Sequence, residues 1–246
     1  FFFFLLSSIF FNSCFDQQKT IINGYTMGTT YSITIKNALN DKQLIKEKID
    51  SLLIDFNDTF STYNVNSELS KINLSNKNNI YVSDDIAFLL NHALLYSRLS
   101  NGSYDVTIGS LIKLWNFENF SIKKIPSKKT ISNTLKHVGY NMISIENNLL
   151  QKKDSILIDL NSIAKGYAVD KIYYYLKTLN FDNFLVEIGG ELRGSGELWL
   201  VGIQHPMQND IAKTINLKNK AIATSGTYNN NFEYNNNIYA HIINPK

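Results

Sequence analysis

A chain of 246 residues, 44% of them hydrophobic and 18% charged, is long enough to bury a core and does not have the composition of a disordered segment. Its net charge of +3 is small, and its basic stretch from Lys123 to Lys129 is interrupted by Pro126, which reads as a solvated loop and argues against a nucleic-acid partner. Cys14 is the single cysteine, so no disulfide forms within the chain.

The first residues differ from the rest. Phe1 to Phe11 form an apolar run, too short to span a bilayer as a helix but suited to the apolar region of a signal peptide. The run reaches Asn12-Ser13-Cys14, where a small residue directly precedes the cysteine. That is the place at which a bacterial lipoprotein signal is cut and its cysteine acylated. The competing reading is a free thiol beside a buried apolar start. No Met or basic segment precedes the run, so the start is read as cut short. The expected organisation is a lipoprotein-type signal over 1–13 and a mature domain over 14–246. That domain would lie in the cell envelope, lipid-anchored to the membrane through Cys14 and facing the periplasm or exterior.

Along the domain, Tyr31, Ile33 and Ile35 alternate with Thr30, Ser32 and Thr34, which predicts a strand. Leu44, Ile45, Ile49, Leu52, Leu53 and Phe56 mark one face of a helix, with Asn40 placed to cap it. A second helix is predicted from a Ser83 cap to a stop at Asn101-Gly102, and a short third between Ser127 and Gly139. Ile156 to Leu160 reads as a buried strand, followed by a helix from about Lys165 to Leu179. Phe184–Ile188, Leu198–Val201, Ile222–Thr224 and Ile238–Ile243 are predicted strands. Helices crowd the first half and strands the second, which predicts an α+β fold with helices packed on mixed or antiparallel sheets.

Turn-forming polar residues cluster at 24–29, 60–69, 101–109, 159–166, 188–193 and 223–226, the last leading to His241–Pro245. In the fourth cluster a strand delivers Asp159 to its end and Lys165 opens a helix. Backbone N–H groups and the helix dipole favour an anion there, and a lysine adds positive charge, so the arrangement suits a phosphate. It is not a Walker loop, and a plain strand–helix turn with a surface lysine reads equally well. Gly189-Gly190 lets backbone approach a ligand closely, or simply makes a tight turn. Taken singly, Met27 reads as core filler, Tyr63 and Tyr104 as half-buried aromatics, and His241 as a core histidine on an apolar strand. No histidine stands at a metal-ligand spacing from another candidate, which argues against zinc.

The order of these segments resembles the FAD:protein FMN transferases, the ApbE-type family once described as thiamine-biosynthesis lipoproteins. The likeness rests on Thr26-Met-Gly-Thr29, Ser61-Thr-Tyr63 with Ser67-Glu-Leu69, and Gly102-Ser-Tyr-Asp105 before Trp115. It continues through Asp159 to Asp170, Gly189-Gly190, Thr224-Ser-Gly226 and His241-Ile-Ile243. The resemblance implies FAD as substrate and Mg²⁺ as cofactor. Met27, Tyr63, Ser103, Tyr104 and Asp105 match positions lining the FAD pocket; Asp159 and Lys165 match contacts to the flavin nucleotide. Ser162 matches a metal position served by its backbone oxygen. His241 and Ile242 match the late strand at the pocket, where the histidine assists catalysis.

The implied reaction transfers the FMN half of FAD to a Thr or Ser hydroxyl of an acceptor protein and releases AMP, with Lys165 on the phosphoryl charge and His241 or an aspartate as base. The implied acceptor is a subunit of a membrane redox pump. Alternatives using the same pocket are an FAD pyrophosphatase that releases FMN and AMP, and a non-catalytic FAD-binding lipoprotein. Where the family has Gly-Gly this chain has Asn161-Ser162, and Asn is the expected substitute if that turn needs positive φ. Ser103-Tyr-Asp105 replaces the usual Ala-Phe-Asp, and Asn244 stands where Asp is usual. The family also carries an aspartate and a threonine ligand after the His-Ile-Ile motif, beyond Lys246, so the sequence is read as cut at this end too.

Overall fold

The computed structural model describes residues 19–36, 41–117, 125–153, 155–206, 208, 210–227 and 231–246. Cys14, the apolar run before it and the expected cap Asn40 lie outside the described residues. Among the described residues no helix is long and apolar enough to cross a membrane.

Strands β1 (Thr20–Thr26) and β2 (Thr29–Ile35) open the domain, then α1 (Lys42–Phe60), α2 (Glu68–Leu74), β3 (Asn79–Tyr81) and α3 (Asp84–Leu99). Next come α4 (Gly109–Trp115), α5 (Lys128–Leu135), a 3₁₀ turn at Tyr140–Met142, β4 (Ile143–Glu146), β5 (Leu149–Lys152) and α6 (Asn161–Thr178). The chain ends in strands: β6 (Phe184–Ile188), β7 (Glu191–Ser195), β8 (Trp199–Gln204), β9 (Ile211–Leu217), β10 (Ala221–Ile222), β11 (Asn231–Tyr234) and β12 (Asn237–Ala240). A five-stranded sheet runs β1-β2-β6-β7-β10, beside a three-stranded β3-β5-β4 sheet and the β8-β9 and β11-β12 hairpins. Every pairing between these strands is antiparallel, so the fold is α+β as expected.

The large sheet separates two apolar clusters because its strands alternate. Ile22, Ile33, Ile35, Phe184, Val186 and Ile188 point inward, against α1, α3 and α6. Leu185 and Leu192 point outward, onto Trp199, Val201 and Leu217 of the β8–β9 hairpin. Inside, α6 contributes Ala164, Ala168, Val169, Ile172 and Leu176, and α1 contributes Ile45, Ile49, Leu53, Phe56 and Phe60. Each fully buried side chain of this size is worth about 1.5–3 kcal/mol, so this inner layer dominates stability.

Helix ends follow their local chemistry. Ser83 accepts a hydrogen bond from Ile86 N and Ser127 one from Thr130 N, both at expected caps. Helix α3 ends with Asn101 and Gly102 at positive φ, as the stop signal predicts. Helix α1 starts after Asp41, whose side chain makes no capping bond.

Three expectations need correction. Ile156 to Leu160 is buried but joins no sheet: Leu157 makes an isolated parallel bridge to Ile108, and Asn73 brackets Ile158 with two 2.8 Å bonds from its amide. Helix α6 therefore begins at Asn161, one turn before Lys165. The last strand ends at Ala240 instead of running to Ile243, so His241 is an exposed residue in a bend, not a core histidine. The β11–β12 hairpin is held by aromatic packing instead, with Tyr239 stacked on Phe232 and on Trp115, and Phe117 tilted against Phe232.

Tyr31 couples sheet to helix through chemistry that pH can read. Its hydroxyl donates to Asp50 of α1 at 2.5 Å, and Lys46 donates to the same carboxylate at 2.5 Å. Burial first, then the bond to Asp50, pushes the Tyr31 phenol up to about 12 from 10.0. A raised folded pKa means that this contribution is full below pH 10.0 and is lost as pH rises towards about 12. Urea unfolding at stepped alkaline pH should show wild type more stable than Tyr31→Phe by about 1 kcal/mol at pH 8, with the gap closing above pH 10. A gap constant with pH would disprove the coupling.

Candidate functional site

The site is built around the first turn of α6. Residues 105–109 and 157–159 run side by side, with Asp159 N donating to Val106 O at 2.8 Å and Gly109 N to Leu157 O at 3.1 Å. This pairing brings the loop after α3 next to the start of α6. Asp159 is buried, and its carboxylate accepts from Asn161 N at 2.9 Å and from Asn161 Nδ2 at 3.0 Å. Asn161 is therefore not a stand-in for glycine at positive φ. It is the first helical residue, and its amide completes the acid that starts the helix.

One residue on, Ser162 Oγ donates to the Tyr104 hydroxyl at 3.2 Å. Tyr104 is half-buried, with Tyr96 edge-on at 6.5 Å and its own N–H donating to Ser100 Oγ. Burial pushes its phenol above the ordinary value, against the smaller lowering effect of Ser162. Tyr96, Leu99, Ser100, Tyr104, Ser162 and Ile163 line a cleft of roughly 530 Å³. A helix N-terminus beside an aromatic wall suits a ligand with an anion next to a flat ring.

Lys165 lies three residues beyond Ser162 and so on a neighbouring part of the helix surface. Its Nζ is 3.1 Å from Oε2 of Glu191, the first residue of β7. The Glu191 oxygen is buried and accepts no hydrogen bond from the described residues, so the contact is an ion pair off hydrogen-bond angle. Glu191 follows the Gly189-Gly190 turn, where both glycines have positive φ. A Cβ on Gly189 would come 2.7 Å from Thr29 Cγ2, so only glycine lets this turn press against the β1–β2 turn. There Met27 and Gly28 both take positive φ, as a two-residue type I′ hairpin demands, and Met27 packs on the core from this strained position.

The structure thus brings Ser103, Tyr104, Asp105, Asp159, Ser162 and Lys165 to one end of α6. Asp105 is a scaffold there: it accepts from Thr107 N at 2.8 Å, Thr107 Oγ1 at 2.6 Å and Tyr140 N at 2.7 Å. Ser103 is exposed at the rim. Tyr63, His241 and Ile242 are exposed and do not line the cleft. Tyr63 sits on a loop fixed by Ser61, whose Oγ accepts from Tyr63 N and Asn64 N. The stretch after His241 returns towards the site, for Lys246 Cε would lie 3.8 Å from a Cβ on Gly102. Sequence reasoning missed Tyr96, Leu99 and Ser100, whose signal is a pair of apolar residues at i, i+3 beside a helix-ending serine. It also missed Glu191, signalled only by an acid after two glycines.

For Mg²⁺ the described residues form no cage. Among them no three His, Cys, Asp or Glu side chains converge on one point, and both Asp159 oxygens are taken by Asn161. Asp105 makes a direct test of scaffold against ligand contact. Asp105→Ala strands two buried donors and the Thr107 hydroxyl, and should lower unfolding free energy by roughly 3 kcal/mol in urea titration without ligand. Stability unchanged from wild type would remove the scaffold role.

The ApbE family model matches residues 27–246. The FAD:protein FMN transferase of Vibrio cholerae is 35% identical over 240 residues, covering 93% of this chain and 72% of that protein. The protein of the same name in Haemophilus influenzae is 34% identical over 256 residues, covering 95% and 73%. Among solved structures, the flavin transferase ApbE from Vibrio cholerae superposes with a TM-score of 0.83 at 32% identity, covering 93% of this chain and 76% of the other. The ApbE protein of Thermotoga maritima gives 0.83 at 30% identity, with 93% and 77% covered. With fold, site segments and these likenesses in agreement, the chain belongs to the ApbE family.

Proposed function

We propose that this chain performs the reaction for which its relatives are named, passing the FMN half of FAD to a Thr or Ser hydroxyl of an acceptor protein and releasing AMP. The observation that carries this reading is the head of α6, where Ser162 and Lys165 stand on one helical turn beside an aromatic-walled cleft. The aromatic wall suits a flavin or adenine ring, and the helix start with its lysine suits the pyrophosphate between them.

In this reading the acceptor oxygen attacks the FMN phosphorus and the bond from that phosphorus to the bridging oxygen of AMP breaks. Lys165 neutralises charge on the phosphoryl oxygens, the α6 N–H groups add a fixed positive field, and His241 or an aspartate takes the proton of the hydroxyl. If the pyrophosphate carries Mg²⁺, the Ser162 carbonyl would be its protein donor and the ion would neutralise phosphate charge; no step here depends on it. The acceptor is proposed to be a subunit of a membrane redox pump, met outside the cytoplasm by an enzyme anchored through Cys14. Cys14→Ala should abolish labelling with radioactive palmitate and release the protein from the membrane fraction; undiminished labelling would end the anchor reading.

The decisive assay is the mass of an acceptor peptide after incubation with FAD and Mg²⁺. An FMN adduct supports transfer; free FMN alone identifies a pyrophosphatase, and intact bound FAD a carrier. Lys165→Met keeps the stem and deletes the charge. Transfer should fall by about 10²–10³-fold, and FAD affinity, set also by the ring contacts, should weaken far less. Wild-type transfer by this variant would return Lys165 to the surface.

A further inference from the structure

We infer that Glu191 is the positioning residue for Lys165, holding its ammonium at the phosphoryl position at a cost in affinity for FAD; this rests on the transfer reading above. Glu191 Oε2 is buried, accepts no hydrogen bond from the described residues and lies 3.1 Å from Lys165 Nζ. Such an oxygen is expensive to keep, so a plain docking role for the pair has to be weighed first. Docking is already provided two residues along β7. Residues i and i+2 share a face of a strand, and Arg193 binds Asp170 of the same helix through a 2.5 Å hydrogen bond. Arg193 also packs its guanidinium 4.0 Å from the Tyr173 ring centre. The Lys165–Glu191 contact lacks hydrogen-bond alignment and adds little to that clamp.

What it does add is a fixed place for a charge. An ammonium has three donors, so it can face a carboxylate and a phosphoryl oxygen together. The space beside Gly190 is open, since a Cβ there would meet nothing within 4 Å, and the turn carries a second carboxylate, Glu187, whose Oε1 accepts from Gly190 N at 2.8 Å. A carboxylate this near the phosphate site opposes binding of a polyanion but keeps the lysine where charge develops. Those two effects have opposite signs, which a merely structural ion pair does not produce.

The test is Glu191→Gln in the full chain, with FAD affinity by flavin fluorescence and FMN transfer to an acceptor peptide measured on the same samples. FAD should bind several-fold more tightly while kcat falls on the order of ten-fold, part of the loss expected for deleting the lysine charge itself. In a Lys165→Met background the same change should leave kcat unaltered, because Glu191 acts through the lysine. Glu191→Asp keeps the charge on a shorter stem, and should bind FAD like wild type yet turn over more slowly. Affinity that is unchanged or weaker in Glu191→Gln overturns the proposal, as does a further fall of kcat in the double variant. Should Glu191→Gln fail to fold, wild-type kcat in Glu191→Asp overturns it. If wild type binds FAD but transfers nothing, the transfer reading fails, and unchanged affinity in Glu191→Gln is then enough to reject the role of Glu191.

Discussion

The rotation of α6 about its own axis is the constraint on which the site depends. Burial of Ala164, Ala168, Val169, Ile172 and Leu176 presses the helix onto the sheet, and the two alanines let it approach closely. Apolar contact is non-directional, however, and fixes rotation only loosely. Polar contacts on both flanks finish the job. On one side Asp85 of α3 accepts from Tyr167 at 2.7 Å and Lys171 at 2.6 Å. Burial pushes the Asp85 carboxyl up, but these two bonds outweigh it and hold it below its ordinary value. On the other side Asp170 takes Arg193. Partly exposed pairs of this kind add about 1 kcal/mol at most, so their value lies in angle more than in stability. With the rotation fixed, Ser162 must face Tyr104 and Lys165 must face β7.

The far ends of the strands supply the rest. Two type I′ turns meet where β1–β2 and β6–β7 reverse, and Gly189 N donates to Thr30 O at 3.1 Å across them. Met27 is the one residue of this contact that is neither glycine nor a usual left-handed residue. Its φ of 50° costs energy that a hairpin turn alone would not require of a methionine. Met27 nevertheless packs on the core from this position, which its flexible thioether stem allows.

How much of this was legible in the sequence follows from which signals are local. Helix α3 was readable because its cap, its apolar face and its left-handed stop are all local, and β2 and β6 because they alternate cleanly. Strand β1 was not, since Asn23-Gly24 within it reads as a turn; nor was β9, whose side chains are nearly all exposed. The Asn-Asn pairs 147–148 and 235–236 take positive φ and close the β4–β5 and β11–β12 hairpins, a signal lost in an asparagine-rich chain. In the site, the resemblance pointed to Asp159, Ser162 and Lys165, but only tertiary packing reveals that Asp105 is spent on its own loop or that Lys165 meets Glu191. Those are contacts between segments 26 to 35 residues apart or on different elements, and no local pattern encodes them.

Tyr104, Asn161 and Ser162 act together at the start of α6. A phenylalanine at 104 or a glycine at 162 would remove the side-chain bond between the loop after α3 and the start of α6, leaving the backbone bonds from Asp159 N to Val106 O and from Gly109 N to Leu157 O. Here Tyr104 and Ser162 meet through their hydroxyls, so a bond worth about 1 kcal/mol is added to those backbone bonds. Asn161 adds to this, because a side chain that binds Asp159 stabilises a first turn that glycines would leave freer. The three side chains therefore act in one direction, towards a stiffer helix start. A stiffer start loses less conformational entropy when an anion settles on it, and so offsets the electrostatic opposition of the Glu191 carboxylate on β7, which faces Lys165 of this helix.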